Sequence, residues 1–356
     1  MIGSLLWRLF RTVLAVWSLA SVVFLLSRYD ADTAVQLALP DLANLSQGGI
    51  GVDSVARQTA QVATRQRLGL DLPLFYVTRG ATTPGGATHW QWHGTRNQYH
   101  QWGTGALSGN LGTSFRTGQA VTTRLWEALV ITLPLTGTAA FLGVGLALLL
   151  AQGLAANPWW QRPAHAALVA LHALPLFVVA VLLLLIFANP EVLAWFPAYG
   201  LDQLAGSESD AWHDIVNYGA HLVLPVAALT LTVLPELTLQ LHAALRQELR
   251  TGYAVTARAK GLPENQVIRH HALRNALLPT LTQVTELLPA LVAGAVVVEV
   301  VFALPGMGRL LAEAGAARDY PVLVGGVLLT GAARLLALLL ADLLYFWADP
   351  RIRWQA

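Results

Sequence analysis

The stretch that decides the fold is Ala128–Leu154, ALVITLPLTGTAAFLGVGLALLLAQGL, which contains no Asp, Glu, Lys or Arg. A helix of roughly 20 apolar residues is long enough to cross the hydrocarbon core of a bilayer. The rest of the chain has the same character, because 55% of all residues are hydrophobic and only 12% are charged. A typical soluble domain carries about 25% charged residues. The composition therefore predicts an all-α, polytopic membrane protein.

Further apolar stretches on both sides bring the number of predicted transmembrane helices to six. The predicted spans are Trp7–Leu26, Ala128–Leu154, Ala164–Ala188, His221–Ala244, Ala276–Val298 and Pro321–Trp347. No small-residue cleavage site is evident after the first span, so we predict a retained helix rather than a signal peptide. The net charge of +2 is too small to indicate a nucleic-acid partner, and the lack of cysteine excludes disulfides and thiolate metal sites.

The charges between the spans predict the orientation of the chain, because short loops rich in Lys and Arg stay on the cytoplasmic side. Basic residues occur at the start of the first span (Arg8 and Arg11), after the second and fourth spans and at the C-terminus, whereas 189–220 contains acidic residues and no Lys or Arg. We therefore expect both termini in the cytoplasm. The predicted organisation is a first transmembrane helix at 1–27, an external segment at 28–127, a five-helix core at 128–348 and a cytoplasmic tail at 349–356.

The most basic loop of the core follows the fourth span, at about 246–275, and is called the basic loop below. Its central part is TARAKGLPENQVIRHHALRN, Thr256–Asn275. A helical pattern ends at Gly261, where a residue without a side chain can adopt a positive φ, and Pro263 and Glu264 suit the first turn of a new helix. We predict a helix, a glycine turn and a second helix. Such a segment could be a positive-inside loop only, or it could bind lipid headgroups or another protein.

The basic loop resembles the EAA motif of permease subunits in binding-protein-dependent ABC importers, and more narrowly the first permease of the dipeptide, oligopeptide and nickel group. Other stretches share this resemblance: RLGLDLPL (Arg67–Leu74), SGNLGTSFRTGQAV (Ser108–Val121), LPLFVVAVLLLLIFA (Leu174–Ala188), WFPAYGL (Trp195–Leu201), EVVFALPGMGRLL (Glu299–Leu311), RDYPV (Arg318–Val322) and DLLYFWADPRIR (Asp342–Arg353). They cover nearly the whole chain in order. The resemblance implies the type I ABC importer permease fold, with a large external loop after the first helix.

The resemblance also implies that the basic loop contains a coupling helix, which sits in a cleft of a cytoplasmic ATPase subunit. The implied coupling residues are Ala257, Arg258, Ala259, Lys260, Gly261, Leu262, His271, Arg274 and Asn275. The small residues Ala257, Ala259 and Gly261 would keep the first helix close to the ATPase, and its two basic residues would supply charge at the contact. The last three residues would hold the second helix against the fifth span.

The implied assembly contains a second permease, two cytoplasmic ATPases and an external solute-binding protein, all at the bacterial inner membrane and in contact with its lipid. ATP and Mg would bind to the ATPases, and this chain would bind no cofactor and would not be an enzyme. The sequence agrees, because a P-loop needs Lys followed by Ser or Thr, and the single lysine, Lys260, is followed by Gly261. We expect di- or oligopeptides as the solute, with nickel or another small solute as the alternative.

Charged residues within the spans are candidates for a second site, because ionisable groups inside a membrane are costly and often functional. Glu286 and Arg334 could form a buried pair that holds the helices together. Glu286 could instead relay protons, which would make the chain a proton-driven secondary transporter, a different class of protein. Glu236 follows Pro235, so we expect a helix break there that lines the translocation path.

The segment after the fifth span, VFALPGMGRL, carries three helix-breaking residues, Pro305, Gly306 and Gly308. Irregular backbone at membrane depth is tolerated where it lines a cavity or is buried in protein. The segment therefore predicts a re-entrant element near the outer gate. A tight turn between two spans is the alternative.

Histidines of the predicted external segment are the candidates for a metal site. His89 and His93 have the spacing of neighbours on one helix face and could bind nickel or zinc. The tryptophans around them favour a loop anchored at the membrane interface, where amphipathic rings concentrate. We therefore predict no metal site.

Overall fold

The computed structural model describes residues 2–29, 58–59, 62–63, 65–66, 70–79, 90–197 and 211–348. Most of these residues are helical, which confirms the predicted class. The elements, in chain order, are α1 (Ile2–Tyr29), β1 (Val77–Arg79), β2 (Trp90–Trp92), α2 (Gln98–Leu107), α3 (Val121–Ala156), α4 (Pro158–His172), α5 (Leu176–Leu183), a π-helix (Leu184–Ala188), α6 (Ala211–Glu248), α7 (Gly252–Ala259), α8 (Glu264–Gln266), a π-helix (Val267–Ala272), α9 (Leu273–Val301), α10 (Met307–Ala316) and α11 (Tyr320–Ala348).

Helix α3 contains the uncharged stretch that opened the sequence analysis and extends beyond it at both ends. Its apolar side chains divide between two environments. Leu135 and Ala139 are fully buried, whereas Phe141 and Leu149 are 78% and 66% exposed. Large apolar groups exposed on the surface of a single chain suit a helix that faces lipid or another subunit.

Four described helices contain stretches that are long and apolar enough to cross a membrane: Leu9–Leu26, Val121–Ala156, Val216–Glu248 and Tyr320–Ala337. In α9 the corresponding apolar stretch, Pro289–Val301, is shorter. The first half of α9 carries polar residues, among them Thr280, Gln283 and Glu286, which lower its hydropathy. The predicted count of six spans is thus not confirmed by the described helices and stays a prediction.

The predicted third span, Ala164–Ala188, is not one straight helix. Helix α4 ends at His172, α5 begins at Leu176, and the two parts are bent by 101°. Pro175 explains the break, because proline has no N–H and disfavours helical backbone at the residue before it. The fold therefore places a broken helix where the sequence predicts a continuous one.

The described chain divides into two compact units, of which the first comprises Ala128–Leu310 and Ala333–Ala356. Helices α6 and α9 pack against each other in this unit. The core contains Leu135, Ala180, Leu229, Leu291, Val298 and Phe302, all buried. Gly294 of α9 permits close packing, because an added Cβ would lie only 3.1 Å from the side chains of Leu176 and Leu229.

The second unit comprises Ile2–Glu127 and Leu311–Ala332. Strands β1 and β2 pair in antiparallel fashion, with Thr78 opposite Gln91. Aromatic rings join α1 to α2: Phe24 stacks on Trp102 with centroids 4.8 Å apart, and Trp17 Nε1 donates to the Tyr99 hydroxyl at 3.1 Å. Part of the predicted external segment is therefore a folded structure built around aromatic side chains.

Candidate functional site

The basic loop has the predicted arrangement of helix, glycine turn and helix. Helix α7 ends at Ala259, and Gly261 has a φ of +81°. The Gly261 amide donates to the Arg258 carbonyl at 2.9 Å, and the Leu262 amide donates to the Ala257 carbonyl at 3.3 Å. This pair of bonds is a Schellman motif, which satisfies the last carbonyls of a helix and requires a left-handed residue.

The inner side of the basic loop packs on its own chain. Ala254, Ala257 and Val267 are buried together, and Leu249 and Leu262 pack against them. Ala257 is only 5% exposed. Ala257 and Leu262, which we expected at the ATPase contact, therefore hold α7 to the helices that follow it. The reason is the periodicity of the helix, which places Ala254 and Ala257 on one face.

Arg258 is partly exposed, and its guanidinium braces the turn. Its Nε and Nη2 atoms donate to the two carboxylate oxygens of Glu264 at 2.8 and 2.6 Å, and its Nη1 donates to the Leu249 carbonyl at 2.8 Å. The hydrogen bond from Arg258 lowers the pKa of Glu264 below its usual 4.5, and the same bond raises the pKa of Arg258. The guanidinium that we expected to contact the ATPase thus links the two helices of the loop.

Tyr253 is a further brace that the sequence analysis missed. Its hydroxyl donates to the Glu248 carboxylate and accepts from Asn275 Nδ2 at 3.2 Å. Burial, followed by the hydrogen bond to Glu248, raises the pKa of Tyr253. Asn275 therefore contacts the start of α7 through Tyr253. Contacts between residues 22 positions apart leave no periodic signal in the sequence.

The outward face of the basic loop consists of exposed residues from both of its helices. It contains Val255, Ala259, Lys260, Gly261, Arg269, His270, His271 and Arg274. An added Cβ at Gly261 would meet no atom within 4 Å, so space is open beside the turn. His271 and Arg274 are exposed rather than packed against the following helix, contrary to expectation. Three of these residues are Lys or Arg, and the apolar Val255 is 57% exposed.

The three charged residues predicted within the spans do not form a buried site in the described residues. Glu286 and Arg334 are both exposed, and no ion pair joins them there. Glu236 is exposed too, and α6 continues through Pro235 without the expected break. A proline can be accommodated inside a transmembrane helix where neighbouring groups satisfy the freed carbonyl.

Pro305 and Gly306 lie in a tight turn that leads into α10, and Met307 and Gly308 begin that helix; Pro305–Gly308 is called the PGMG turn below. The turn encloses the carboxylate of Glu299, which is 0% exposed. Glu299 accepts hydrogen bonds from Thr132 Oγ1 at 2.6 Å, from the Gly308 amide at 2.7 Å and from the Arg309 amide at 3.1 Å. An anion at a helix N-terminus is stabilised by the free amides and the helix dipole.

Both glycines of the PGMG turn are required by close contacts. A Cβ at Gly306 would lie 2.2 Å from Glu299 Cδ, and a Cβ at Gly308 would lie 2.4 Å from Val296 Cα. The structure thus gives these residues a packing role, and their predicted role at an outer gate stays a prediction. Glu299 was missed as a site residue, although a lone acid at the end of an apolar run is a signal for one.

The described histidines of the second unit are engaged in hydrogen bonds. His93 Nε2 lies 2.6 Å from Thr78 Oγ1, and His100 Nδ1 lies 3.1 Å from the Tyr76 hydroxyl. His89 lies outside the described residues. Among those that the structure describes, no group of three His, Cys, Asp or Glu side chains could hold a metal ion.

Comparisons with known proteins give consistent matches. The family model described as "Binding-protein-dependent transport system inner membrane component" matches residues 143–354. The dipeptide transport system permease protein DppB of Alkalihalophilus pseudofirmus is 31% identical over 72% of this chain and 81% of that protein. The di/tripeptide transport system permease protein DppB of Pseudomonas aeruginosa is 32% identical over 81% of this chain and 84% of that protein.

A third relative is matched over a shorter part of its length. The peptidoglycan transport system permease protein YejB of Agrobacterium fabrum is 36% identical over 52% of this chain. This match spans about half of that relative, 51% of its length. The matches with the two peptide permeases are longer, over 72% and 81% of this chain.

Proposed function

This chain belongs to the family of binding-protein-dependent transport system inner membrane components, and we propose that it is the permease subunit of an ATP-driven importer of di- or oligopeptides. Family membership confirms the predicted class, a helical ABC permease with several membrane-spanning helices in the inner membrane. The chain is a transport subunit and is not itself an enzyme. The proton-driven alternative has no support from the family match.

The observation that carries the proposal is the outward face of the basic loop. Ala257 and Leu262 pack on the inner side of the loop and Arg258 pairs with Glu264, so the face is presented on a turn of defined conformation. The turn itself is free of neighbouring atoms at Gly261. An ATPase cleft lined by acidic and apolar groups would complement Lys260, Arg274 and Val255. Closure of two ATPases would then move the loop and, through the continuous helix α9, the core of the first unit.

The proposed partners follow from this mechanism. A second permease would provide the other half of the translocation path, and two cytoplasmic ATPases would bind ATP and Mg. An external binding protein would deliver the solute. The basic loop would lie in the cytoplasm with both termini of the chain, as the distribution of Lys and Arg predicts. Peptides are the proposed solute because the relatives matched over most of their length are named as dipeptide and di/tripeptide permeases.

The test is a substitution at the turn, Gly261→Glu, in the complete transporter. A bulky acid there would occupy the open space and add the wrong charge to the outward face. We expect the variant to insert and fold but to stimulate ATP hydrolysis about tenfold less than wild type, the effect of losing roughly 1.4 kcal/mol of contact. The measurement is solute-stimulated ATPase activity, together with the amount of ATPase that copurifies with the permease.

Gly109→Glu is the matched control. Gly109 has a φ of +82° and no atom within 4 Å of an added Cβ, so its strain and space equal those of Gly261. It belongs to the second unit, outside the basic loop. We expect this control to stimulate the ATPase normally. If Gly261→Glu also bound and stimulated the ATPase normally, the basic loop would not be the coupling surface.

A further inference from the structure

A cavity of about 250 Å³ lies inside the second unit. It is bounded by the end of α1, by α2, by the loop that follows α2 and by the first turn of α11. Six of its lining residues are Phe24, Arg28, Gln98, Trp102, Phe115 and Val324. The space is large enough for several water molecules or for one end of a small peptide.

Arg28 brings a positive charge to this cavity. Its guanidinium carbon lies 5.1 Å from the centre of the Phe24 ring, so the ring covers one face of the group. The Nη1 atom is buried and has no hydrogen-bond partner in the described chain. The N–H groups at the edge of a guanidinium match the two oxygens of a carboxylate. A buried charged donor of this kind favours an anionic ligand group.

Gln98 lines the same cavity. Its Nε2 donates to the Leu72 carbonyl at 2.6 Å, which fixes the amide orientation because a carbonyl can only accept. The Oε1 atom is then a buried acceptor with no donor among the described residues, on a side chain that is 9% exposed. An unsatisfied buried acceptor is costly, so a ligand that donates an N–H group would be stabilised there.

We propose that this cavity binds the C-terminal end of a peptide. The terminal carboxylate would pair with Arg28, the last amide N–H would donate to Gln98 Oε1, and the last side chain would contact Trp102 and Phe115. A phosphodiester could pair with Arg28, but it has no N–H donor for Gln98 and no side chain to contact Trp102 and Phe115. Arg28 and Gln98 indicate a ligand that carries an anionic group next to an N–H donor. That this ligand is a peptide, and not another carboxylate, rests on the proposed function.

The first test uses two ligands that differ only at the C-terminal group, which is a carboxylate in one and a neutral carboxamide in the other. The dipeptide Ala-Leu and its C-terminal amide are titrated by calorimetry into the purified full chain in lipid nanodiscs. We expect Ala-Leu to bind about tenfold more tightly than the amide. A hydrogen bond between two charged groups contributes more to the binding free energy than one to a neutral group. Arg28→Gln should remove this difference by weakening Ala-Leu alone. Arg11→Gln is the matched control, since Arg11 is exposed on the same helix and does not line the cavity.

A second test changes the ligand and leaves the protein intact, so it holds even if Arg28→Gln does not fold. Ala-Leu methylated on its peptide nitrogen lacks the proposed donor to Gln98, and we expect about a fivefold loss of affinity for the wild type. Equal binding of Ala-Leu and its amide, or no binding at all, would overturn the inference. A further contrary outcome is that inorganic phosphate displaces Ala-Leu from the wild type but no longer binds to Arg28→Gln. That result would show an anion site without selectivity for peptides and would also overturn the inference.

These outcomes are separable from the proposed function. Dipeptide binding is measured on the permease without its ATPase, and the coupling test measures ATPase stimulation at Gly261. A transporter with normal coupling and no dipeptide binding to the permease would retract the cavity assignment only.

Discussion

The basic loop and the PGMG turn both contain glycines that the structure requires, yet they use their charged residues in opposite ways. In the basic loop, Arg258 and Glu264 form an ion pair with 37% and 43% of their side chains exposed. In the PGMG turn, Glu299 is fully buried and receives hydrogen bonds from a hydroxyl and two amides. The basic loop leaves open space beside Gly261, whereas the PGMG turn leaves none beside Gly306 and Gly308.

The comparison teaches that the surroundings of a turn, more than its residue types, indicate its role. An exposed ion pair contributes about 0–1 kcal/mol, so the basic loop is held lightly and keeps its outward face available to a partner. Removal of one partner from a buried charged network costs roughly 3–5 kcal/mol. The PGMG turn is therefore expected to stabilise the first unit, whereas the basic loop is expected to transmit force.

The largest predicted effect belongs to Gly308→Ala. Its Cβ would lie 2.4 Å from the backbone atom Val296 Cα, which cannot move as a flexible side chain would. We expect a loss of about 3 kcal/mol in the free energy of unfolding, at the upper end of overpacking effects, measured by denaturant titration in detergent. Gly315→Ala is the control on α10, because its Cβ would meet no atom within 4 Å. If the two variants were equally stable, the lack of space at Gly308 would have no energetic consequence, and the contrast between the PGMG turn and the basic loop would be lost.

The next effect is expected at Gly261, where backbone conformation rather than space is limiting. Alanine in the left-handed region costs about 1–2 kcal/mol, while asparagine adopts it more readily. Gly261→Ala should therefore speed hydrogen exchange at the amides of Gly261 and Leu262, and Gly261→Asn should largely restore their protection. Gly252→Ala serves as control, since Gly252 has equal space and no positive φ. Similar exchange in all three variants would contradict the Schellman motif.

The smallest effect is the pH dependence of the ion pair in the basic loop. The pKa of Glu264 is lowered in the folded protein, so its contribution is present above the usual value of 4.5 and is lost as pH falls through the lowered pKa. Glu264→Gln should therefore be slightly less stable than wild type from pH 5 to 8, by less than about 1 kcal/mol. The two proteins should converge in thermal stability at pH values below the lowered pKa of Glu264. A difference that persists there would show that Glu264 acts by some other contact.

Local signals account for what the sequence predicted well. The uncharged run at Ala128–Leu154 identifies α3 because hydropathy alone decides whether a helix can enter a membrane. Gly261 identifies the end of α7 because few other residues adopt a positive φ, and the terminal contacts of the motif lie within six residues of one another. Each of these features depends on neighbours in the chain.

Contacts between distant segments explain what the sequence left open. Thr132 and Glu299 are 167 positions apart, and nothing in either segment identifies the other as its partner. The burial of Ala257 and the pairing of Arg258 with Glu264 both depend on where the second helix packs, so the sequence alone did not show that these two residues contact their own chain. Pro175 was visible in the sequence, but the two helices it separates are each so apolar that together they resembled one span.

The central claim is that the outward face of the basic loop contacts an ATPase, and site-directed photocrosslinking tests it most directly. The chain has no cysteine, so a single introduced cysteine labels one position only. Ala259→Cys, on the outward face, should crosslink to the ATPase in the assembled transporter, whereas Thr104→Cys, exposed on α2, should label equally well without crosslinking. Efficient labelling of Ala259→Cys with no ATPase crosslink, in a transporter that still hydrolyses ATP, would contradict the account.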